Sequence, residues 1–185
     1  MVLDARSRIL ATSYDLFAQR GVRAVGVDEV IARSAVAKST FYRHFPSKNA
    51  LVMAFLARRE QQWTLAFIAA GSERRGSTPE AQLLAIFDVF DEWFASEAFD
   101  GCSFINILLE MGPDHELGLA SIDYLANIRE IVRERAARAG LRDPESFSRS
   151  WHILMKGSIV AAAEGDIRAA QRAKAMARSL IDQFR

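Results

Sequence analysis

The chain of 185 residues is half apolar and nearly neutral, with 24 Lys and Arg against 23 Asp and Glu. This length can bury the core of one or two small domains. No stretch approaches the roughly eighteen uncharged apolar residues of a membrane span. The single cysteine, Cys102, excludes an internal disulfide framework, and the first ten residues lack an apolar stretch of signal-peptide length. We therefore expect a cytoplasmic protein.

Charge is distributed unevenly along the chain. Residues 1–60 hold ten Lys and Arg against five Asp and Glu, a net charge of +5, and the other 125 residues hold fourteen against eighteen, a net charge of −4. Local positive charge favours contact with DNA because phosphate neutralisation releases counterions. The basic part of the chain coincides with the helical motif described below, which favours DNA contact over a merely solvated surface.

The first predicted element is a helix that Gly21 can end in the left-handed conformation open to glycine. Its residues share one helical face: Ile9, Ser13, Leu16, Phe17 and Arg20. This helix is expected to support the two helices that follow.

The segment from Val27 to Lys48, VDEVIARSAVAKSTFYRHFPSK, is typical of two short helices joined by a tight turn. The first helix has an apolar face at helical spacing, and Phe41 and Phe45 lie four residues apart on one side of the second. The two faces can therefore pack together. The polar side chains left outside this contact suit the second helix of a helix-turn-helix, which meets base edges and phosphates: Lys38, Ser39, Thr40, Tyr42, Arg43 and His44.

Residues from Arg6 to Phe55 resemble the TetR family (TetR/AcrR-like) of one-component bacterial transcriptional regulators. The most specific part is the Phe-Tyr-x-x-Phe run ending at Phe45, followed by Ser47-Lys48 and Leu51. The resemblance implies a three-helix DNA-binding domain and the start of a connecting helix.

The resemblance also implies roles for individual residues. Lys38, Ser39 and Thr40 would lie nearest the bases, and Tyr42, His44 and Lys48 would contact phosphates. Lys48 stands at a helix start, where backbone amides also favour a phosphate oxygen. Arg43 could serve either class, since its guanidinium suits guanine.

Two alanines depart from the family pattern. Ala35 stands where the family usually has glycine in the turn, and Ala37 where a serine or threonine usually caps the recognition helix. A left-handed alanine costs about 1 kcal/mol or more, and a lost cap about as much. We expect a less stable turn, with no DNA-contacting side chain lost.

The rest of the chain is also predicted to be helical. Residues 47–70 predict a helix that links the two halves of the protein, and residues 71–78, GSERRGST, are the best loop candidate. Five further helices are predicted at about 79–97, 101–111, 114–139, 144–164 and 166–184. The fold class is therefore all-α with about nine helices. We assign residues 1–50 to the helix-turn-helix DNA-binding domain and residues 51–185 to an effector-binding and dimerisation domain.

The second domain is rich in aromatic residues interleaved with a few polar ones. Such a mixture could line a pocket, although for any one of these residues a place in a well-packed core is the more ordinary interpretation, and His152 is more ordinarily a core histidine than a ligand contact. The family resemblance implies a small effector bound among these helices, and the aromatic content suggests a mostly apolar one. The candidate pocket residues are Phe87, Phe90, Phe94, Phe104, Leu108, Met111, Tyr124, Trp151, His152 and Met155.

The last two helices suggest a homodimer. One has apolar residues around most of its circumference and small residues that let a second backbone approach, and the other carries a stripe of period near 3.6. The family resemblance implies a four-helix dimer interface, and a dimer places two recognition helices on half-sites about 34 Å apart. The candidate interface residues are Ile153, Gly157, Val160, Ala161, Ala173, Ala177, Leu180 and Ile181.

Nothing in the sequence supports catalysis, because the three histidines lie far apart and no glycine-rich phosphate loop is present. We expect no enzyme activity, cofactor or metal. The sequence predicts a DNA-binding transcriptional regulator, preferably a repressor that a small apolar effector releases from a palindromic operator. Two alternatives stay open: a nonspecific architectural DNA-binding protein, or a helical small-molecule carrier or enzyme that bears a helix-turn-helix.

Overall fold

The structure is a computed structural model that describes residues 4–185. Residues 1–3, the start of the stretch in which we expect no signal peptide, lie outside the described residues. The helices are α1 Ala5–Arg20, α2 Val27–Ser34, α3 Lys38–His44, α4 Lys48–Arg59, α5 Ala70–Arg75, α6 Pro79–Phe94, α7 Ser103–Met111, α8 Glu116–Arg138, α9 Pro144–Ala163 and α10 Ala169–Gln183. A π-helical segment, Glu60–Ala69, joins α4 to α5. The all-α prediction is confirmed, with nine continuous helices between residues 4 and 185.

The chain forms two compact units. Unit 1 contains the described residues up to Arg59 together with residues 103–123, and unit 2 contains residues 60–102 and 124–185. Unit 1 therefore includes α7 and the first part of α8 beside α1–α4. The functional boundary at residue 50 stays a prediction. No helix between residues 4 and 185 is long and apolar enough to cross a membrane.

The core of unit 1 forms where α1 meets α2, α3 and α4. Ile9 and Phe17 from α1 are buried, and the Phe17 ring meets Phe55 of α4 edge-on, with centroids 5.7 Å apart. Phe41 and Phe45, which the sequence places on one side of α3, are both buried. Burial of an aromatic ring stabilises the fold by about 2 kcal/mol or more, so these rings fix α3 in place.

The turn between α2 and α3 contains the two features expected from the sequence, a left-handed residue and an uncapped helix start. Ala35 adopts the left-handed conformation, with φ 52° and ψ 49°, and its amide closes the C-terminus of α2. Ala37 stands at the N-cap of α3 without a side-chain hydrogen bond. The turn therefore keeps its helix-turn-helix geometry without glycine and without a capping hydroxyl.

The core of unit 2 is a connected series of aromatic rings on α6 and α9. Trp93 contacts Phe90 and Phe99 at centroid distances of 5.8 and 4.9 Å, and Trp151 contacts Phe87 and Phe147 at 5.4 and 5.2 Å. The rings meet edge-on or tilted, the arrangements that the ring quadrupole favours. Helices α6 and α9 begin at Pro79 and Pro144, each preceded by a residue whose side chain accepts an amide hydrogen bond.

The predicted loop at residues 71–78 is wrong over most of its length, because the helix continues to Arg75. Ser72 is buried and accepts a 2.6 Å hydrogen bond from Arg135, whose guanidinium also donates to the Ala69 carbonyl at 2.8 Å. Gly71 lies against Val89, so closely that a Cβ on it would be 3.3 Å from the valine methyl. Glycine and serine serve close helix packing here, and the chain turns only after Arg75.

Replacing Ala35 by glycine should stabilise the protein by about 1 kcal/mol, because the left-handed conformation is strained for alanine and open to glycine. Urea unfolding followed by circular dichroism measures the change. Ala32→Gly is the matched control: Ala32 is exposed inside α2, so the same substitution there should destabilise by about 1 kcal/mol. A destabilised Ala35→Gly protein would contradict the assigned backbone strain.

Candidate DNA-binding site

The polar side chains of α3 lie on the surface of unit 1. Lys38, Ser39, Tyr42 and Arg43 are exposed, and Thr40, His44 and Lys48 are half-buried. All seven predicted contact residues thus lie outside the buried Phe41 and Phe45 side of the helix. The Tyr42 side chain is 43% exposed, so its hydroxyl and ring are available to a partner.

Carboxylates beside the basic groups of this surface lie mainly on α2. Glu29 accepts from Arg20 at 2.7 Å and lies 3.1 Å from Arg33, and Asp28 lies 3.5 Å from the Lys38 ammonium. Both side chains of the Lys38–Asp28 pair are largely exposed, so water and salt screen it and the pair contributes little to stability. Lys38 can therefore exchange Asp28 for another anion at small cost.

Lys48 occupies the first turn of α4, where the Ser47 hydroxyl accepts the Ala50 amide at 3.0 Å. Burial lowers the pKa of the Lys48 ammonium, and the nearby Glu110 carboxylate acts in the opposite direction. Lys48 thus combines an ammonium group with a position in the first turn of a helix, where the free backbone amides suit a phosphate oxygen.

Glu110, on α7, binds the loop between α1 and α2. Its carboxylate accepts hydrogen bonds from the backbone amides of Val22, at 2.9 Å, and Arg23. Gly21, with φ 77° and ψ 171°, occupies a backbone region essentially restricted to glycine, and a Cβ there would lie 3.1 Å from the carboxylate. Asn49 on α4 also donates to Glu116 on α8. These contacts attach α7 and α8 to the helix-turn-helix within unit 1.

The sequence did not reveal this attachment. Glu110 is a solitary carboxylate in the apolar run FINILLEM, which signals a polar partner without indicating which one. Because the partner amides lie 88 and 87 residues away in the chain, neither periodicity nor spacing could identify them.

The structure divides the ten predicted pocket residues between the two units. Phe104, Leu108 and Met111 belong to unit 1, and the other seven belong to unit 2. Six of the ten are buried and four, Phe94, Leu108, Met111 and Tyr124, are half-buried. Several of the buried rings form the aromatic core of unit 2 and are packed against one another, so packing accounts for their position.

His152 is a buried polar group without a hydrogen-bond partner, and so is the indole Nε1 of its neighbour Trp151. The His152 side chain is 3% exposed, and its Nδ1 has no hydrogen-bond acceptor or donor among the described residues. Burial, with the charges of Lys156 and Arg129, lowers the pKa of His152 to about 3. The imidazole is therefore neutral at physiological pH. Cys102 is also buried.

The predicted interface residues fall into two groups. Ala173, Ala177 and Ile181 are buried within the protomer, where α10 packs on α6 and α9. The remaining residues are on or near the surface: Ile153, Gly157, Val160, Ala161 and Leu180. Ile153 is 70% exposed, and it lines a mostly apolar groove of about 330 Å³ between α9 and α10 with Met176, which is 61% exposed. An apolar face of this kind marks an interaction surface.

The fold and the exposed face of α3 define a helix-turn-helix protein with a second, helical domain. Residues 9–55 match the sequence model of bacterial regulatory proteins of the tetR family. This segment is therefore similar to the regulatory proteins of that family, and the whole chain has the fold of TetR-family transcriptional regulators.

Individual relatives agree with this assignment. The chain is 38% identical over 55 residues to the transcriptional activator FasR of Mycolicibacterium smegmatis and 40% identical over 55 residues to the transcriptional repressor NemR of Escherichia coli. These matches span 30% of this chain but only 25% and 28% of the relatives. The crystal structure of a TetR-family regulator from Streptomyces coelicolor superposes with a TM-score of 0.89 at 25% identity, covering 97% of this chain and 89% of that chain.

Removing the Glu110 carboxylate should destabilise unit 1 by about 2 kcal/mol, because Glu110→Ala leaves two backbone amides without their charged acceptor. Urea unfolding measures the loss, and amide hydrogen exchange at Val22 and Arg23 should accelerate. Asp114→Ala, which removes an exposed carboxylate after α7, is the control and should change neither quantity. Unaltered exchange at the two amides would show that Glu110 does not hold the loop.

Proposed function

We propose that the protein is a sequence-specific transcriptional regulator that binds an inverted-repeat operator as a homodimer and is released by a small effector. It would act in the bacterial cytoplasm, where its DNA lies. The observation that carries the DNA-binding part is the arrangement of α3. Two buried aromatic rings hold one side of the helix, and the basic and hydroxyl side chains occupy the opposite side, as in a recognition helix that enters the major groove.

The side chains of α3 would divide between base reading and phosphate contact. Lys38, Ser39 and Thr40, at the start of the helix, would meet base edges, because the N-terminal residues of a recognition helix enter the groove first. Tyr42, His44 and Lys48 would bind phosphates and set the register on the duplex. Arg43, which is exposed, would read guanine or add a further phosphate contact.

Dimerisation through α9 and α10 supplies the second recognition helix. Ile153, Val160 and Met176 expose large apolar side chains on these two helices, and Gly157 lines the groove between them. A second copy presenting the same face across a two-fold axis would cover these side chains on both chains at once. An inverted-repeat operator would match that two-fold symmetry.

Effector binding in unit 2 would be coupled to DNA binding through the helices that pass from one unit into the other. The chain crosses the boundary after residues 59, 102 and 123, and α8 runs through the last of these crossings. The Glu110 contact then ties α7 to the loop that precedes α2. An effector that binds one position of these helices more tightly would shift the equilibrium away from the DNA-binding state, and DNA would oppose it equally.

The sign of regulation depends on where the operator lies. The relatives include an activator and a repressor. We propose repression, with the bound dimer covering a promoter. Selection from a pool of random duplexes at near-physiological salt, followed by sequencing, tests the function directly. Recovery of an inverted repeat supports it, and recovery of no shared motif would favour a nonspecific architectural DNA-binding protein.

Lys48→Ala should weaken binding to the selected operator and to unrelated duplexes by a similar factor, because a phosphate contact carries no base information. The slope of log K against log salt should become less steep by about 1. Fluorescence anisotropy at several salt concentrations measures both effects. Arg74→Ala, which removes an exposed charge from unit 2, should leave them unchanged. A change in base preference alone would contradict the phosphate assignment.

Ile153→Glu should convert the protein to monomers and lower operator affinity, because a charge would enter the apolar centre of the proposed interface. Light scattering after size-exclusion chromatography reports the mass. Leu109→Glu is matched to it, since Leu109 is 78% exposed but lies on α7, and this variant should stay dimeric. A dimeric Ile153→Glu protein would place the interface elsewhere.

A further inference from the structure

A cleft between α8 and α9 contains an arginine that no carboxylate neutralises. The cleft has a volume of about 200 Å³, and charged or polar side chains from both helices line it, among them Arg129, Glu130, Arg133, Glu145, Ser148 and Arg149. Arg133 donates to Glu130 at 2.7 Å, and Arg149 lies 2.7 Å from Glu145. These pairs use both glutamates, and Arg129 has no ion pair among residues 4–185.

Two more basic side chains of α9 lie on the face of the helix that carries Ser148. Ser148, His152 and Lys156 follow one another at intervals of four residues and therefore share one face of the helix. Arg129 is near enough to act electrostatically on both His152 and Lys156, Lys156 acts on His152, and Cys102 acts on Lys156 in the opposite direction to Arg129. Lys156, which is half-buried, has no ion pair with any described residue. The cluster therefore consists of two cations, Arg129 and Lys156, beside one buried imidazole, and neither cation has an ion pair with a described carboxylate.

His152 adds an open hydrogen-bonding position to this cluster. The imidazole is neutral, since its pKa is lowered to about 3 by burial and by the two neighbouring cations. A neutral imidazole has one N–H donor and one acceptor, and its buried Nδ1 makes no hydrogen bond to any described residue. Buried polar groups are nearly always paired in folded proteins, so an unpaired Nδ1 beside two cations indicates a missing partner.

A purely structural role does not account for this arrangement. Partly buried like charges repel one another and lose hydration, and both effects oppose folding. A protein that needed only packing here would be more stable with a neutral residue at Arg129 or Lys156. The cluster is explained when a ligand supplies the absent negative charge and accepts the available hydrogen bonds.

We propose that Arg129, His152 and Lys156 bind the anionic group of a small organic acid. This inference rests on the proposed effector regulation and narrows its chemistry, because the mostly apolar effector expected from the aromatic content would also carry one carboxylate. The Arg129 guanidinium and Lys156 ammonium neutralise the carboxylate, and the Nδ1–H tautomer of His152 donates a hydrogen bond to it.

Calorimetric titration of the full chain with three probes tests the assignment: 4-phenylbutyrate, its neutral analogue 4-phenylbutan-1-ol, and inorganic phosphate. The carboxylate should bind at least tenfold more tightly than the alcohol or phosphate. Arg129→Gln and Lys156→Gln should each weaken carboxylate binding about tenfold or more, and neither should alter alcohol binding. Arg74→Gln, which removes an exposed charge from unit 2, is the matched control and should bind as the parent does.

Three results would overturn the inference: equal binding of acid and alcohol, unchanged affinity in the Arg129 and Lys156 variants, or no carboxylate binding up to millimolar concentration. Tighter binding of phosphate than of 4-phenylbutyrate would overturn the organic-acid assignment. Thermal unfolding without ligand supplies a second readout. Arg129→Gln and Lys156→Gln should raise Tm, because repulsion is removed, whereas side chains with a packing role would lower it.

Operator binding separates this inference from the function on which it rests. If 4-phenylbutyrate binds as expected but never affects the operator complex, the anion site stands and effector regulation fails. If other molecules release the operator and no carboxylate binds, regulation stands and the anion site fails.

Discussion

The proposed DNA-binding surface depends on the burial of two phenylalanines in unit 1. Phe41 is fully buried and Phe45 is 3% exposed, and with both rings fixed, a helix of seven residues cannot rotate to hide its polar side. The Arg6 guanidinium of α1 lies over the Phe45 ring, 5.3 Å from its centroid, and so adds a further contact to this ring. The short helix is too small to be stable by itself, so its orientation, and with it every proposed base contact, comes from these tertiary contacts.

Features that repeat locally could be predicted from the sequence, and those that join distant segments could not. Spacing predicted α1 and most later helices, because side-chain periodicity and capping act within a few residues. The turn residue Ala35 was instead implied by the resemblance to the family pattern. The loop prediction failed at residues 71–75, where glycine and serine serve close packing with Val89 and Arg135. Periodicity did not indicate the Glu110 contact, which joins segments 88 residues apart and makes α7 part of the unit that holds the helix-turn-helix.

The apolar stripe of α10 is a second feature whose partner the sequence does not identify. An apolar stripe indicates that one face of a helix is buried. It does not indicate whether the same chain or a second chain buries that face. Ala173, Ala177 and Ile181 are covered by the protomer itself. The large apolar side chains that α9 and α10 leave exposed are Ile153, Val160 and Met176. The buried and the exposed apolar residues both follow helical spacing, so the sequence pattern could not distinguish them.

The chemistry of the ligand was the property that the sequence predicted least well. A few polar side chains determine which ligand a pocket binds, whereas most side chains around it are apolar. Counting aromatic residues in the second domain suggested an apolar effector, yet most of those rings pack against each other as the core of unit 2. The informative groups are those whose partners are missing. The net charge of the whole chain is only +1, so it does not reveal a local excess of positive charge. Arg129 and Lys156 provide such an excess beside the unpaired nitrogen of His152. Unsatisfied groups, more than abundant ones, therefore indicate what a helical domain of this kind can bind.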